Sequence, residues 1–158
     1  MALAGLGVVG ICAIISVSFL IYFMQQMHPV SALATGDFSG YQMQTISIDD
    51  QRIRVAVANT PALQALGLGK RAGLAADEGM LFVFPEAKRY GFWMKDMSFP
   101  IDMIWIAADG TIEYMAQDVA PETYPKDFVP PTPALYVLEV TAGYAQAHNF
   151  ALGDVVHL

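Results

Sequence analysis

The stretch Phe92-Trp93-Met94-Lys95-Asp96 places one ammonium between an indole and a carboxylate, and Asp102 and Glu139 add two more carboxylates in or beside apolar runs. A lysine among several carboxylates, next to an indole, can bind a polar ligand. If desolvated, either group can move a proton near neutral pH. Trp93, Lys95, Asp96, Asp102 and Glu139 are therefore the candidate ligand or partner site, and no catalytic residue is assigned. The same residues have a plainer use: a half-buried ion pair that holds two strands in register, with Trp93 in the core. Tyr90, Trp93 and Trp105 also suggest a platform for stacking a sugar or peptide, since these rings join apolar bodies to polar tips. Burial of at least two of the three competes with that use.

Other chemistries lack their residues. His28, His148 and His157 are too scattered to make a metal motif, so neither metal nor cofactor is expected. There is no Gly-x-Ser-x-Gly elbow, P-loop or dinucleotide fingerprint, and a serine such as Ser98 has no evident base. Net charge is −7 and the eight Lys and Arg residues are scattered, which excludes a nucleic-acid surface and disfavours anionic lipid. With Cys12 alone, an intrachain disulfide is impossible. The branched Ile11 before it does not suit a lipoprotein cysteine.

The elements that must position the candidates follow from periodicity and turn residues. Ile46 and Ile48, then Asp49-Asp50-Gln51, then Ile53, Val55 and Val57 read as a hairpin. Thr60-Pro61 reads as the N-cap and first residue of a short helix ended by Gly67 and Gly69. Met80–Phe84, Tyr90–Lys95, Asp102–Ala108 and Thr111–Gln117 read as strands, the last two joined by Asp109-Gly110. On an extended Tyr90–Lys95, Trp93 and Lys95 share one face and Phe92 and Met94 the other. Five of the nine prolines fall between Pro121 and Pro133, which makes residues 118–133 a candidate lid or contact loop. Leu135–Val140 is a strand, Thr141 caps a second helix running to His148, and Val155–Leu158 is a last strand. Short strands with tight turns and two short helices predict a β-rich α+β fold, on a curved, mainly antiparallel sheet or a partly closed barrel.

Ahead of this domain, assigned to residues 45–158, residues 28–44 read as a spacer and residues 1–27 as a membrane helix. Ala2 to Met24 is a run of 23 uncharged residues, about 34 Å as a helix and enough to cross a hydrocarbon core. A cleaved signal peptide would use Ala32-Leu33-Ala34, but the basic leader and short apolar run of such peptides are missing. Asp37 on the domain side leaves the N-terminus in the cytoplasm and puts the domain on the extracytoplasmic side of the inner membrane. The small residues of the helix's first half would let a membrane partner approach closely.

Several stretches resemble the bacterial and archaeal family known only as domain-of-unknown-function family 192. They are Gly67-Leu68 with Lys70-Arg71, Asp77-Glu78-Gly79-Met80-Leu81-Phe82-Val83-Phe84-Pro85 and Phe92-Trp93-Met94-Lys95-Asp96, followed by Pro100-Ile101-Asp102 and Asp109-Gly110. Tyr136-Val137-Leu138-Glu139, Ala142-Gly143 and Gly153-Asp154 complete them. The resemblance runs from Ile46 onward. It implies a compact β-rich α+β domain, often exported or anchored, with no established activity. The family usually has Met in place of Gly69 and Asn in place of Asp96.

The expected function is a membrane-anchored accessory or binding domain contacting a partner protein or small ligand. The alternatives are a cofactor-free enzyme using Lys95 with Asp102 or Glu139, and a structural subunit held in a membrane complex through the helix and the 118–133 loop. Mass spectrometry of the mature protein should find the apolar segment retained; an N-terminus at Thr35 would overturn the anchor.

Overall fold

A computed structural model describes residues 38–158. The expected membrane helix and most of the expected spacer fall outside the described residues; among those described, no helix is long and apolar enough to cross a membrane. The domain starts earlier than the sequence suggests: β1 spans Gln42–Ile48 and Phe38 already packs in the core.

β1 returns as β2 (Gln51–Ala58) through a tight turn with Ile48 opposite Gln51, where Asp49 takes a positive φ. Helix α1 (Pro61–Leu66) follows. The Leu63 N–H donates to Thr60 Oγ1 at 3.3 Å, and Gly67 ends the helix at φ 51°, a left-handed turn that suits glycine. β3 (Glu78–Lys88), β4 (Ile101–Ile106), β5 (Ile112–Val119), β6 (Ala134–Thr141), a short helix α2 (Tyr144–Ala147) and β7 (Val156–His157) complete the domain.

The strands form one sheet in the order β5-β4-β6-β3-β2-β1-β7. Five of its six pairings are antiparallel, but β2 and β3 run parallel, joined by the crossover that carries α1. The sheet is thus mixed. Beside Thr111 and Val155, which bridge the two ends of the strand order, Val156 N–H donates to the Gly110 carbonyl at 2.8 Å and Ile112 N–H to that of Asp154 at 2.9 Å. The sheet curls into a half-barrel drawn together along this seam.

Both faces are buried. On one lie Ile46, Ile53, Leu81, Ile104, Leu138 and Val140, an aliphatic core joined by Tyr144 and Phe150. On the other lie Met80, Phe82, Met103, Trp105 and Val137, an aromatic core under the loops. Along each central strand successive residues alternate between the two cores, as the period of two requires. Where β3 meets β6 the backbones lie close: a Cβ on Gly79 would stand 2.7 Å from the Glu139 carbonyl oxygen.

Asp102 belongs to the aliphatic face, at its end. Its Oδ1 accepts from Asp118 N–H at 2.8 Å and Gly143 N–H at 3.1 Å, and its Oδ2 from Ala145 N–H at 2.9 Å. Asp102, and not Thr141, satisfies the start of α2; Thr141 is the last residue of β6. Asp102→Ala would strand these donors and should lower stability by on the order of 3 kcal/mol, a fall in Tm of at least about 10 °C at this domain size. A melt within a degree or two of the unsubstituted protein would show that the three hydrogen bonds contribute little.

Candidate functional site

Among the described residues three carboxylates are buried: Glu78, Asp102 and Glu139. Glu78 is served by Arg54 at 3.4 Å and by the Ala75 N–H at 3.4 Å, and Asp102 by its three backbone donors. The Glu139 side chain has no hydrogen bond or ion pair with any described residue, although Glu139 is only 5% exposed. On β6 it stands between Met80 of β3 and Met103 of β4, both fully buried. Burial in these apolar surroundings pushes its carboxyl from an ordinary 4.5 up to about 8, because desolvation penalises the charged form. Near neutral pH the free protein therefore carries Glu139 mostly protonated.

Glu139 lines a cavity of about 480 Å³ on the aromatic face of the sheet. Two segments wall it. In α1, Gln64 Nε2 donates to the Val83 carbonyl at 2.8 Å and the Ala58 carbonyl at 3.3 Å, which pins the helix where β2 and β3 part. After α1 the chain is tied to the second segment, with Lys70 N–H donating to the Asp96 carbonyl at 2.8 Å and Ser98 Oγ to the Arg71 carbonyl at 2.6 Å. The second segment, residues 90–97, is no strand. It is held by Trp105 Nε1 donating to the Tyr90 carbonyl at 2.9 Å, and by Phe92, which exchanges backbone hydrogen bonds with Phe128 at 3.0 and 2.8 Å. A side chain at Gly91 would collide with the Asp127 carboxylate.

The rings inside meet at right angles. Phe92 stands at 89° to Phe82, with centroids 4.8 Å apart, and at 87° to Phe84, 6.3 Å away. Tyr90 lies flat on Phe84 at 3.6 Å and 12°. At the mouth Trp93 is 54% exposed, 6.0 Å from Tyr124. Lys70, Lys95 and Asp96 are the other charged lining residues, all exposed. A neighbouring hollow of about 490 Å³ shares Gln64, Phe84 and Tyr90 but contains no buried polar group, and its Glu86 and Lys88 pair with each other.

A family model described as "Uncharacterized ACR", domain-of-unknown-function family 192, matches residues 44–158. The chain belongs to this family. Two crystal structures are similar to this family 192 domain. A candidate transcription regulator from Sinorhizobium meliloti 1021 is 30% identical with a TM-score of 0.71, over 74% of this chain and 94% of that one. A protein of unknown function from Novosphingobium aromaticivorans DSM 12444 is 29% identical with a TM-score of 0.70, over 83% of this chain and 90% of that one. No functionally curated protein matches the chain.

The two departures from the family pattern now have places. Gly69 presents bare backbone to the cavity; a Cβ there would lie 3.2 Å from the Leu66 carbonyl oxygen and 3.4 Å from that of Lys95. Asp96 sits at φ 58°, a left-handed conformation that both Asp and Asn tolerate.

Of the five candidate residues, the fold brings Trp93, Lys95, Asp96 and Glu139 to one cavity and leaves Asp102 out of it. Asp102 opposes Val140 while Met103 opposes Glu139, so the two carboxylates point to opposite faces. Among the described residues Lys95 forms no ion pair: the described ion pairs are Arg54–Glu78 and Lys88–Glu86, and Lys95 is exposed. Trp105 is wholly core. Lys70, Gln64 and the phenylalanine walls join the site without any local signal in the sequence. Glu139 amid an apolar strand was the available signal for the site's floor.

Between the ordinary carboxyl value and about 8, the folded state holds a proton that the unfolded chain has released. Stability contributed there is full below that window and is lost as pH rises through it, by roughly 1.4 kcal/mol per pH unit. Glu139→Gln should flatten this slope and raise Tm more at pH 8 than at pH 5. Parallel stability curves for the two proteins would rule out the raised value.

Proposed function

We propose that this chain is a membrane-tethered binding domain that holds a small organic ligand in the aromatic cavity over Glu139, on the extracytoplasmic side of the inner membrane. The observation that carries this reading is the buried, unpartnered carboxyl lining an open cavity. A buried polar group without a partner is costly, and the other two buried carboxylates of the domain are satisfied from within. The cavity's about 480 Å³ falls in the range of small-molecule sites, which join apolar walls to a few polar groups. The tether and the side of the membrane rest on the uncharged run from Ala2 to Met24 and on Asp37.

A cofactor-free enzyme is the second reading, because a carboxyl that titrates near neutral pH suits a general acid or base. It would use Glu139 with Lys95, since Asp102 lies on the far face. The lining supplies no hydroxyl of serine or threonine, thiol or imidazole for covalent chemistry, so binding is preferred. A regulator of transcription, as the Sinorhizobium protein is described, is not adopted: the net charge of −7 does not suit a duplex-binding surface.

A fragment library followed by backbone amide NMR should yield ligands whose shifts cluster at residues 67–70, 90–96 and Glu139. Their binding should change the emission of exposed Trp93, and Trp93→Phe should remove that response while buried Trp105 stays silent. Hits that cluster elsewhere, or a library with no hit at these amides, would sink the reading.

A further inference from the structure

We infer, building on the binding reading above, that the cavity recognises a short zwitterion: an ammonium group against Glu139 and the rings of Phe82, Phe84 and Phe92, with an anionic end at the mouth beside Lys70 and Lys95.

Ring geometry selects the head group. A planar heterocycle needs two parallel faces with a gap between them. The one parallel pair here, Phe84 and Tyr90, is already closed on itself at 3.6 Å. The remaining walls meet at 89° and 87°, so the site offers a corner and not a slot. A corner of aromatic rings suits a compact cation, which is drawn to the negative ring faces. Glu139 supplies the counter-charge that such a cation needs in a dry site. Among the described residues no cation forms an ion pair with Glu139, although Lys70 and Lys95 line the same cavity.

The position of the lysines selects the other end. Both are exposed and therefore belong to the mouth, whereas Glu139 is at the floor. A simple amine would pass two ammonium groups on entry, with Asp96 as partial relief. An anionic tail turns that repulsion into attraction. The body between the two charges should be apolar and short, to match the walls.

Binding of this kind couples to a proton. The groups facing Glu139 across the sheet are Met80 and Met103, which do not titrate, and the titratable residues elsewhere in the lining are Lys70, Lys95, Asp96 and Tyr90. The ammonium must find Glu139 ionised, so the carboxyl gives up its proton as the ligand enters.

Titration calorimetry on the full chain in detergent, with δ-aminovalerate, pentylamine and valerate as probes, tests this. The expected order of affinity is δ-aminovalerate, then pentylamine, then valerate, with each amine at least about 10-fold tighter than valerate. Runs at pH 7 in buffers of different ionisation enthalpy should show close to one proton released per amine bound, and amine affinity should rise from pH 6 to pH 8. Glu139→Gln should weaken both amines by about 10- to 100-fold. Lys70→Gln with Lys95→Gln should narrow the gap between δ-aminovalerate and pentylamine. Valerate binding as tightly as the amines, amine binding indifferent to Glu139→Gln, or no binding of any probe would each overturn the assignment. Valerate binding with amide shifts in residues 90–96 would keep the cavity as a ligand site while removing the ammonium; a fragment library silent at those amides removes both.

Discussion

The sheet is covered on both faces, and from this every placement in the domain follows. With a period of two, each buried residue of β3, β4 and β6 must point to either the aliphatic side or the aromatic one. Val137 and Glu139 go one way, Leu138 and Val140 the other. A slip of one residue between β4 and β6 would exchange whole sets of side chains between cores. It would also put Asp102 and Glu139 on the same face.

The three buried carboxylates show how the constraint separates structure from function. Glu78 meets Arg54 at the start of β3, and Asp102 gathers three backbone donors from the end of β5 and the start of α2. Both stitch the framework. Glu139 is placed by the same sheet with equal definition, since Gly79 lets β3 approach its backbone closely, yet nothing in the framework answers its side chain. Rigid placement without a partner is what preorganisation of a binding group requires.

Local chemistry was legible in the sequence. The Asp49-Asp50 and Asp109-Gly110 turns and the Thr60-Pro61 helix start involve residues within a few positions of each other, and each forms as expected. The sidedness of residues 92–95 was also legible: Met94 is buried and Trp93 and Lys95 exposed, even though the backbone there pairs only at Phe92. What could not be read depends on partners far along the chain. The parallel pairing of β2 with β3 needs a crossover whose return direction no local signal gives. Asp102 and Glu139 looked alike as carboxylates in apolar surroundings, and the β4–β6 register that parts them pairs residues far apart in the chain, from Ile106 with Tyr136 to Ile101 with Thr141. The proline-rich segment was read from composition as a lid or contact; backbone hydrogen bonds from Phe128 to Phe92, and Arg89 Nε donating to the Pro130 carbonyl at 2.8 Å, tie it down.

The seam that draws the half-barrel together also sets an order of assembly. The β1–β2 and β4–β5 hairpins close short loops and can form on their own, in microseconds as such hairpins do. The seam forms only once β7 is in place: β7 pairs Val156 with Ile48 of β1 and carries Val155 to Thr111, and the first of these closes a loop of most of the domain. Loop-closure entropy must be met before so distant a contact gains anything. The hairpins therefore precede the seam, and until it closes, the backbone edge of β1 that receives β7 stays open to other strands. Fast folding at the two hairpins followed by slow closure makes this edge the segment most exposed to aggregation while the domain matures.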